Sequence, residues 1–464
     1  MKAHIVIGKN FGDEGKGLAT DYFAQSANKN NASCIAVRFN GGAQAGHTVD
    51  TVSGRFVFHE LSAGSFRKVP TYWGEDFLPD LYKLEDELEE FRLLTGFVPR
   101  IIASPLCRVV NIDDVLINMA AETFRGSNRH GSCGMGIYEA VLRSEKYPLY
   151  LKDVKAMSAE ELFARMKKIR AEYCFARLEE LGINVQKYIN DLKENNSDNT
   201  IREKTFETAD IEDGLSGNEN LKEYLECLFD DNVLKNAAAE IIKAAELVEL
   251  ADESILASYD EVVFEGAQGL LLDTDNTEFA PHISASHTGI KNAFKICQKA
   301  GIKDIEVLYV TRSYVTRHGA GVLPKEEEWA KYNLNINDAT NIENPWQGTI
   351  RYAPHESVGR FTEYVIKDLK SIEGKEKNAG DAENDLQSED SGRASFREIA
   401  AAKDVKIIRS LFITHLNETD NKLLFADDTI GEVSEFLKIP EIKSTFDRVY
   451  LSNSPFSENS ILIQ

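Results

Sequence analysis

Residues 8–17 read Gly-Lys-Asn-Phe-Gly-Asp-Glu-Gly-Lys-Gly, directly after the apolar run "HIVI" at 4–7. Glycines in a strand-to-helix turn let backbone N–H groups face an anion, and the helix that follows adds its dipole. Lys16 supplies a point charge for a phosphate. The Walker spacing is Gly-x4-Gly-Lys-Ser/Thr. Here six residues separate Gly8 from the Gly15-Lys16 pair, and Gly17 stands where a hydroxyl would hold a divalent cation. A hard cation prefers carboxylate and carbonyl oxygens, and Asp13 is the nearest replacement ligand. The plain alternative is a tight turn with surface charges.

Five further stretches place reactive types beside glycine turns. "RFNGGAQAGHTVD" at 38–50 brings His47 after Gly46. It is expected in a second βα loop, at the same carboxyl edge as the phosphate loop. "HGSCGMGIYEAVLR" at 130–143 puts Ser132, Gly134 and Gly136 before a helix, as a second anion loop would. "VVFEGAQGLLLDTD" at 262–275 ends a strand at Glu265 and presents the amide of Gln268. "YVTRHGAGVLPKE" at 314–326 ends a strand with Arg317 and His318, both expected to be exposed. "NPWQGTIRYAP" at 344–354 carries Thr349 and Arg351 in a loop suited to an anionic substrate. Each also reads as an ordinary turn.

The elements that must position these loops are mostly β-rich runs separated by helical composition. Strands are expected at 4–8, 33–39, 56–60, 100–104, 261–266, 305–311, 410–416 and 448–452. Strand alternating with helix predicts an α/β fold: a large, mainly parallel sheet with helices on both faces, opened by a P-loop-like strand-loop-helix. Spread over the whole chain, these runs suggest one sheet and a single domain over 1–464. Residues 157–255 read as a mainly helical subdomain within it, opened by a capping box of Ser158 and Glu161. Residues 193–204 read as a loop, and 371–397 as an acidic solvated or disordered loop.

The 464 residues carry a formal net charge of -23, with 42% apolar and 28% charged residues. Such a surface repels nucleic-acid backbones, yet local amides and a cation still admit a small nucleotide. Six scattered cysteines without a Cys-x-x-Cys pair fit neither a zinc site nor a disulfide framework, and suit a reducing cytoplasm. No signal-peptide or membrane-spanning apolar run is expected.

Together the segments "GDEGKG", "GGAQAGHT", "FEGAQGLLLD" and "TRHGAGVLP" resemble the adenylosuccinate synthetase family, in order and along most of the chain. The resemblance implies a homodimeric α/β enzyme joining IMP to L-aspartate with GTP and Mg²⁺. On matching positions it implies Asp13 as the base that removes the purine N1 proton, and His47 as the general acid at the leaving β-phosphate. It implies Gln268 orienting the 6-oxygen, and Asp13 with the Gly46 carbonyl holding Mg²⁺. Gly12, Gly15, Lys16, Gly17, Gly46, Thr48, Asn417, Ser452, Ser454 and Pro455 would bind the triphosphate. Asn40, Gln44, Ser132, Cys133, Gln268, Ser284 and Arg317 would bind the purine monophosphate, with Arg143 reaching in from the other subunit. Thr349 and Arg351 would bind the amino acid.

The chain also departs from the family pattern. "SCGMG" replaces Thr-Thr-Gly-Arg-Gly, and Ala43-Gln44 replaces His-Asn. The base-reading Thr-Lys-Leu-Asp becomes "THLN", with His415 and Asn417. An amide both donates and accepts, so Asn417 suits an adenine as well as a guanine edge, and ATP joins GTP as an expected co-substrate. The aspartate loop keeps one arginine, Arg351; His355, Arg360 and Arg312 are candidates for the second carboxylate. A phage branch acting on dGMP generally lacks the catalytic Asp, whereas this chain keeps Asp13. Left open are a deoxy or modified nucleotide, another amine, and a non-catalytic nucleotide sensor.

Overall fold

A computed structural model describes the chain except residues 186–218, 337, 339, 342, 344–345, 373–404, 428–430 and 464. Its strands are β1 (Lys2–Gly8), β2 (Cys34–Arg38), β3 (His47–Thr51), β4 (Gly54–Phe58), β5 (Thr71–Trp73), β6 (Ile101–Ala103) and β7 (Val248–Leu250). They continue with β8 (Glu261–Gly269), β9 (Asp304–Arg312), β10 (Val315–Arg317), β11 (Arg351–Ala353), β12 (Lys406–Thr414), β13 (Arg448–Leu451) and β14 (Ile461–Leu462). Ten of them form one sheet in the order β14-β13-β12-β9-β1-β8-β2-β5-β6-β7. Every pairing is parallel except that of β13 with β14.

β1 is apolar at nearly every position because helices cover both faces of the sheet. Val6 packs with Ala19 and Phe23 of α1 (Lys16–Lys29). Ile5 and Ile7 point the other way, into a core with Phe294 and Cys297 of helix Ile290–Ala300 and Phe361 and Val365 of helix Val358–Lys370. Since β1, β2, β8, β9 and β12 run parallel, the loops that follow them gather at one carboxyl edge. Every catalytic candidate lies on or beside those loops. Among the described residues no helix is long and apolar enough to cross a membrane.

One expectation needs correction, and another gains a strand. The run at 56–60 is not in the sheet: β4 pairs antiparallel with β3 as a separate hairpin. His47 therefore opens a hairpin rather than a βα loop. Residues 157–255 include helices Ala159–Ile169, Phe175–Glu180, Glu219–Phe229 and Asp231–Ala245, but then supply β7, the outermost strand of the sheet. Leu162, Met166, Leu234 and Ile241 share one core with Trp73 and Ile101 of the sheet. The Ser158–Glu161 capping box is formed, with bonds of 2.8 and 3.2 Å. The loop at 193–204 and nearly all of the acidic stretch 371–397 lie outside the described residues.

Candidate active site

The phosphate loop is tied together by Glu14, which the motif reading left without a role. Its Oε1 accepts the backbone N–H of Asn10 at 3.0 Å and of Gly12 at 2.8 Å, and its Oε2 accepts Lys16 Nζ at 2.8 Å. Glu14 and Lys16 are both buried. A Cβ on Gly8 would lie 2.4 Å from both the Gln268 carbonyl and Glu14 Oε2, so no side chain fits there. One on Gly17 would lie 2.9 Å from the Thr48 carbonyl, which explains the missing Ser/Thr: α1 passes too close to β3. With Glu14 consumed inside the loop, half-buried Asp13 is the loop's remaining carboxylate at the cleft, which Asp50, Asp338 and Glu418 also line. Burial raises its pKa, opposed by Arg312, Lys16 and His318.

Across the edge, the buried His47 places Nδ1 3.0 Å from Glu265 Oε1. Glu265 is fully buried on β8, accepts the Ala63 N–H at 3.1 Å, and lies 3.9 Å from Arg38 Nε. Burial lowers the imidazole pKa, with Glu265 pulling the other way. Burial pushes Glu265 up, but His47 and Arg38 outweigh it and hold the carboxyl below its usual range. An ionised Glu265 favours the proton of a neutral ring on the facing Nδ1, although in this geometry neither Nδ1 nor Nε2 forms a hydrogen bond among the described residues. Gln268, in the left-handed region at φ 60°, likewise holds a buried Oε1 without a partner, as does Gln44. Glu265 was visible in sequence only as the last strand residue before a glycine turn.

Asp13, Lys16 and His47 border a cleft of about 290 Å³, whereas Glu265, Gln268 and Gln44 are not among its lining residues. Asp13, Gly15, Lys16, Gly17, Gly46, His47 and Thr48 line it, as do His415, Asn417, Ser454 and Pro455. Arg312, Asp338, Thr340 and Asn341 also line it and were not foreseen as a group. Gly12 is not a lining residue, because its N–H goes to Glu14 and its carbonyl to Thr316 Oγ1. Ser452 is buried beneath the cleft, its hydroxyl donating to the Ser454 carbonyl at 2.9 Å.

The expected monophosphate and amino-acid ligands are placed very differently. Asn40 is fully buried and clasps the backbone of Ala267 and His287. The Gly131 and Ser132 amides, read as an anion loop, donate to Glu122 Oε2 at 3.0 and 3.3 Å, and Ser132 Oγ pairs with Asn118. Burial raises the Cys133 thiol pKa. Arg143 is fully buried, bonded to Asp114 and to the carbonyls of Val109 and Tyr147. Within the single chain it is engaged internally rather than extended from the surface. Arg317, expected to be exposed, is buried over the Phe11 ring and donates to the carbonyls of Ala320, Val322 and His282. Burial, with Arg351 nearby, lowers its pKa to about 10. His318 is half-buried rather than exposed. Ser284 Oγ accepts the Ser286 N–H.

Thr349 is exposed, while Arg351 donates to Glu326 Oε2 at 2.7 Å and to the carbonyls of Gly319 and Gly321. The candidates for a second carboxylate are engaged too. Arg312 pairs with Asp338, Arg360 with Glu278 and Glu363, and His355 is buried with its ring 3.2 Å from the Arg312 carbonyl.

The family model for adenylosuccinate synthetase matches residues 5–342. An adenylosuccinate synthetase of Carboxydothermus hydrogenoformans is 30% identical over 70% of this chain and 66% of its own length. That of Thermosipho africanus is 25% identical over 69% and 66%. The matched region thus spans just under two thirds of these relatives. Fully ligated adenylosuccinate synthetase from Plasmodium falciparum superposes with a TM-score of 0.57 at 16% identity, covering 100% of this chain and 99% of that one. Cyanophage S-2L succinoaminodeoxyadenylate synthetase, bound to dGMP and to dATP as an energy donor, gives 0.53 at 12%, covering 99% and 95%. At such identities these two likenesses speak for the fold. The catalytic loops fall inside the matched region, and Thr349, Arg351, His415 and Asn417 fall beyond it. By the family match over residues 5–342, this chain belongs to the adenylosuccinate synthetase family.

Proposed function

We propose that the protein is a C–N ligase that joins L-aspartate to C6 of an IMP-like 6-oxopurine nucleotide at the expense of GTP or ATP. The observation that carries this reading is the meeting of Asp13, Lys16 and a Glu265-anchored His47 in one cleft. Asp13, its pKa raised by burial, takes the N1 proton. The 6-oxygen then forms a bond to the γ-phosphorus as the β–γ bridge breaks, giving a 6-phosphoryl purine and a nucleoside diphosphate. Negative charge arriving beside His47 raises its pKa. The ring then protonates at Nε2 and donates to the leaving β-phosphate, while Glu265 holds Nδ1. Gln268 has its amide available to orient the 6-oxygen. In the second step the amine attacks C6 and inorganic phosphate departs.

Such transfer rests on positioning and charge neutralisation more than on covalent help from the protein. Asp13 and the Gly46 carbonyl, both at the cleft, form an oxygen donor set that fits Mg²⁺. When bound, that ion would spread the phosphate charge. Asn417 accommodates either purine triphosphate. A homodimer in the cytoplasm, without nucleic-acid or membrane partners, completes the proposal.

A second reading, another amine in place of aspartate, draws on the engagement of Arg351, Arg312 and Arg360 with carboxylates. The test offers IMP, dIMP, GMP or dGMP with GTP or ATP, aspartate and Mg²⁺, and follows a succinyl-purine and phosphate by mass spectrometry. Succinyl-purine formation is expected. Nucleotide binding without turnover in any combination points instead to a sensor. Turnover only when another amine replaces aspartate selects the second reading.

A further inference from the structure

Three consecutive carbonyls of the phosphate loop are held by side chains from three separate strands. Thr316 Oγ1 reaches Gly12, Arg312 Nε reaches Asp13, and Thr414 Oγ1 reaches Glu14. Arg312 carries this contact on to two other parts of the cleft. Its Nη1 donates to the Tyr314 hydroxyl at 2.9 Å, and its Nη2 to Asp338 Oδ2 at 2.9 Å. Tyr314 hydrogen-bonds the Glu418 carboxylate, next to Asn417 in the turn Leu416–Glu418. Asp338 accepts the backbone N–H groups of Thr340 and Asn341, two residues of the cleft lining.

Arg312 is buried, and a guanidinium presents its donors in a rigid fork. Each of its nitrogens therefore fixes the distance between two partners. Asp13 itself sits at φ 62°, a left-handed conformation disfavoured for a residue with a side chain. Such a backbone persists only where its surroundings hold it, and Arg312 grips the carbonyl of that residue.

We propose that Arg312 is a positioning residue that holds the backbone of Asp13 and links it to the turn that meets the triphosphate base. The inference rests on the ligase reading above. A residue that merely neutralised Asp338 would affect folding and leave the turnover of folded protein unchanged.

Steady-state kinetics test this on the full chain, comparing kcat and KM of wild type with those of Arg312→Lys, Arg312→Met and Tyr314→Phe. The substrates are those that the product assay identifies. Arg312→Lys should lower kcat on the order of 10²-fold, as expected for a misplaced reacting group, with KM for the purine monophosphate unchanged. Arg312→Met removes all three guanidinium contacts and should lower kcat at least as far, again with KM for the monophosphate unchanged. Tyr314→Phe breaks only the onward link, and should raise KM for the triphosphate while lowering kcat. Absence of wild-type turnover overturns the ligase reading and this inference together. An active wild type with folded variants that keep its kcat overturns this inference alone. If Arg312→Met does not fold, Arg312→Lys and Tyr314→Phe decide by the same criteria.

Discussion

The two walls of the site differ in what their polar groups are already doing. On the phosphoryl-transfer wall, Asp13 faces the cleft, and both His47 ring nitrogens, Gln268 Oε1 and the nearby Gln44 Oε1 are buried without hydrogen-bond partners among the described residues. On the substrate-selecting wall, the Gly131 and Ser132 amides serve Glu122, Arg143 serves Asp114, and Arg351 serves Glu326. A buried polar atom without a partner carries a free-energy cost, so its survival marks a place prepared for a ligand. A satisfied one can be scaffold. The family match covers the first wall and also Gly131, Ser132 and Arg143 of the second, and ends before Arg351 and Asn417.

The sharpest way to break the comparison is to remove the base. Asp13→Asn should lower succinyl-purine formation by roughly 10²–10⁴-fold, the usual contribution of general base catalysis, with nucleotide binding retained. Retained turnover would place the base elsewhere. Because Asp13 must be ionised and burial raises its pKa, the rate should rise with pH through that raised value. An acid limb near the ordinary Asp value of about 3.9 contradicts the assignment.

On the other wall the largest effect should be on folding. Arg143→Met leaves Asp114 buried and unpaired, and should cost about 3–5 kcal/mol in denaturant unfolding. The folded fraction should keep its KM for the monophosphate. A raised KM with unchanged stability would return Arg143 to the binding site.

Glu265→Gln keeps the shape beside His47 but removes the charge that selects its tautomer. A fall in kcat on the order of 10²-fold or more is expected, and an unchanged kcat would reduce Glu265 to packing. Asn417→Asp should move preference from ATP toward GTP by about tenfold, the effect of a hydrogen bond to a charged group, read by competition between the two. Smallest of all, Glu326→Gln releases Arg351 from a part-exposed ion pair worth about 0.2–1 kcal/mol. KM for aspartate should fall by a few-fold. No change would favour another amine.

The central strands were legible in the sequence because β1, β2, β8, β9 and β12 are buried runs whose β-rich composition is a local signal. The three-residue strands β5, β7 and β11 were not, since runs so short carry no period of their own; the equally short β6 and β10 were read only from the apolar run at 100–104 and the glycine turn after Arg317. The hairpin β3–β4 was misassigned for a related reason. Its residues 56–60 look like any half-buried strand, and only their pairing with 47–51 takes them out of the sheet. Asp13, Lys16 and His47 could be named from glycine spacing and residue type. Glu14 and Glu265, which organise them, could not, because a carboxylate beside a glycine reads the same whether it faces solvent or an amide.

What the sequence determined by itself is the phosphate loop, the parallel α/β frame around it and the residue types fit for proton and phosphoryl transfer. Those follow from spacing over a few residues, where backbone geometry and strand period act. The tertiary structure alone decided which charged groups remain available. Arg312 meets the loop across 299 positions, Thr414 across 400, and Arg143 finds Asp114 across 29. Whether a guanidinium becomes ligand or scaffold depends on the carboxylate or carbonyl that reaches it first in the packed interior. No local pattern encodes that meeting.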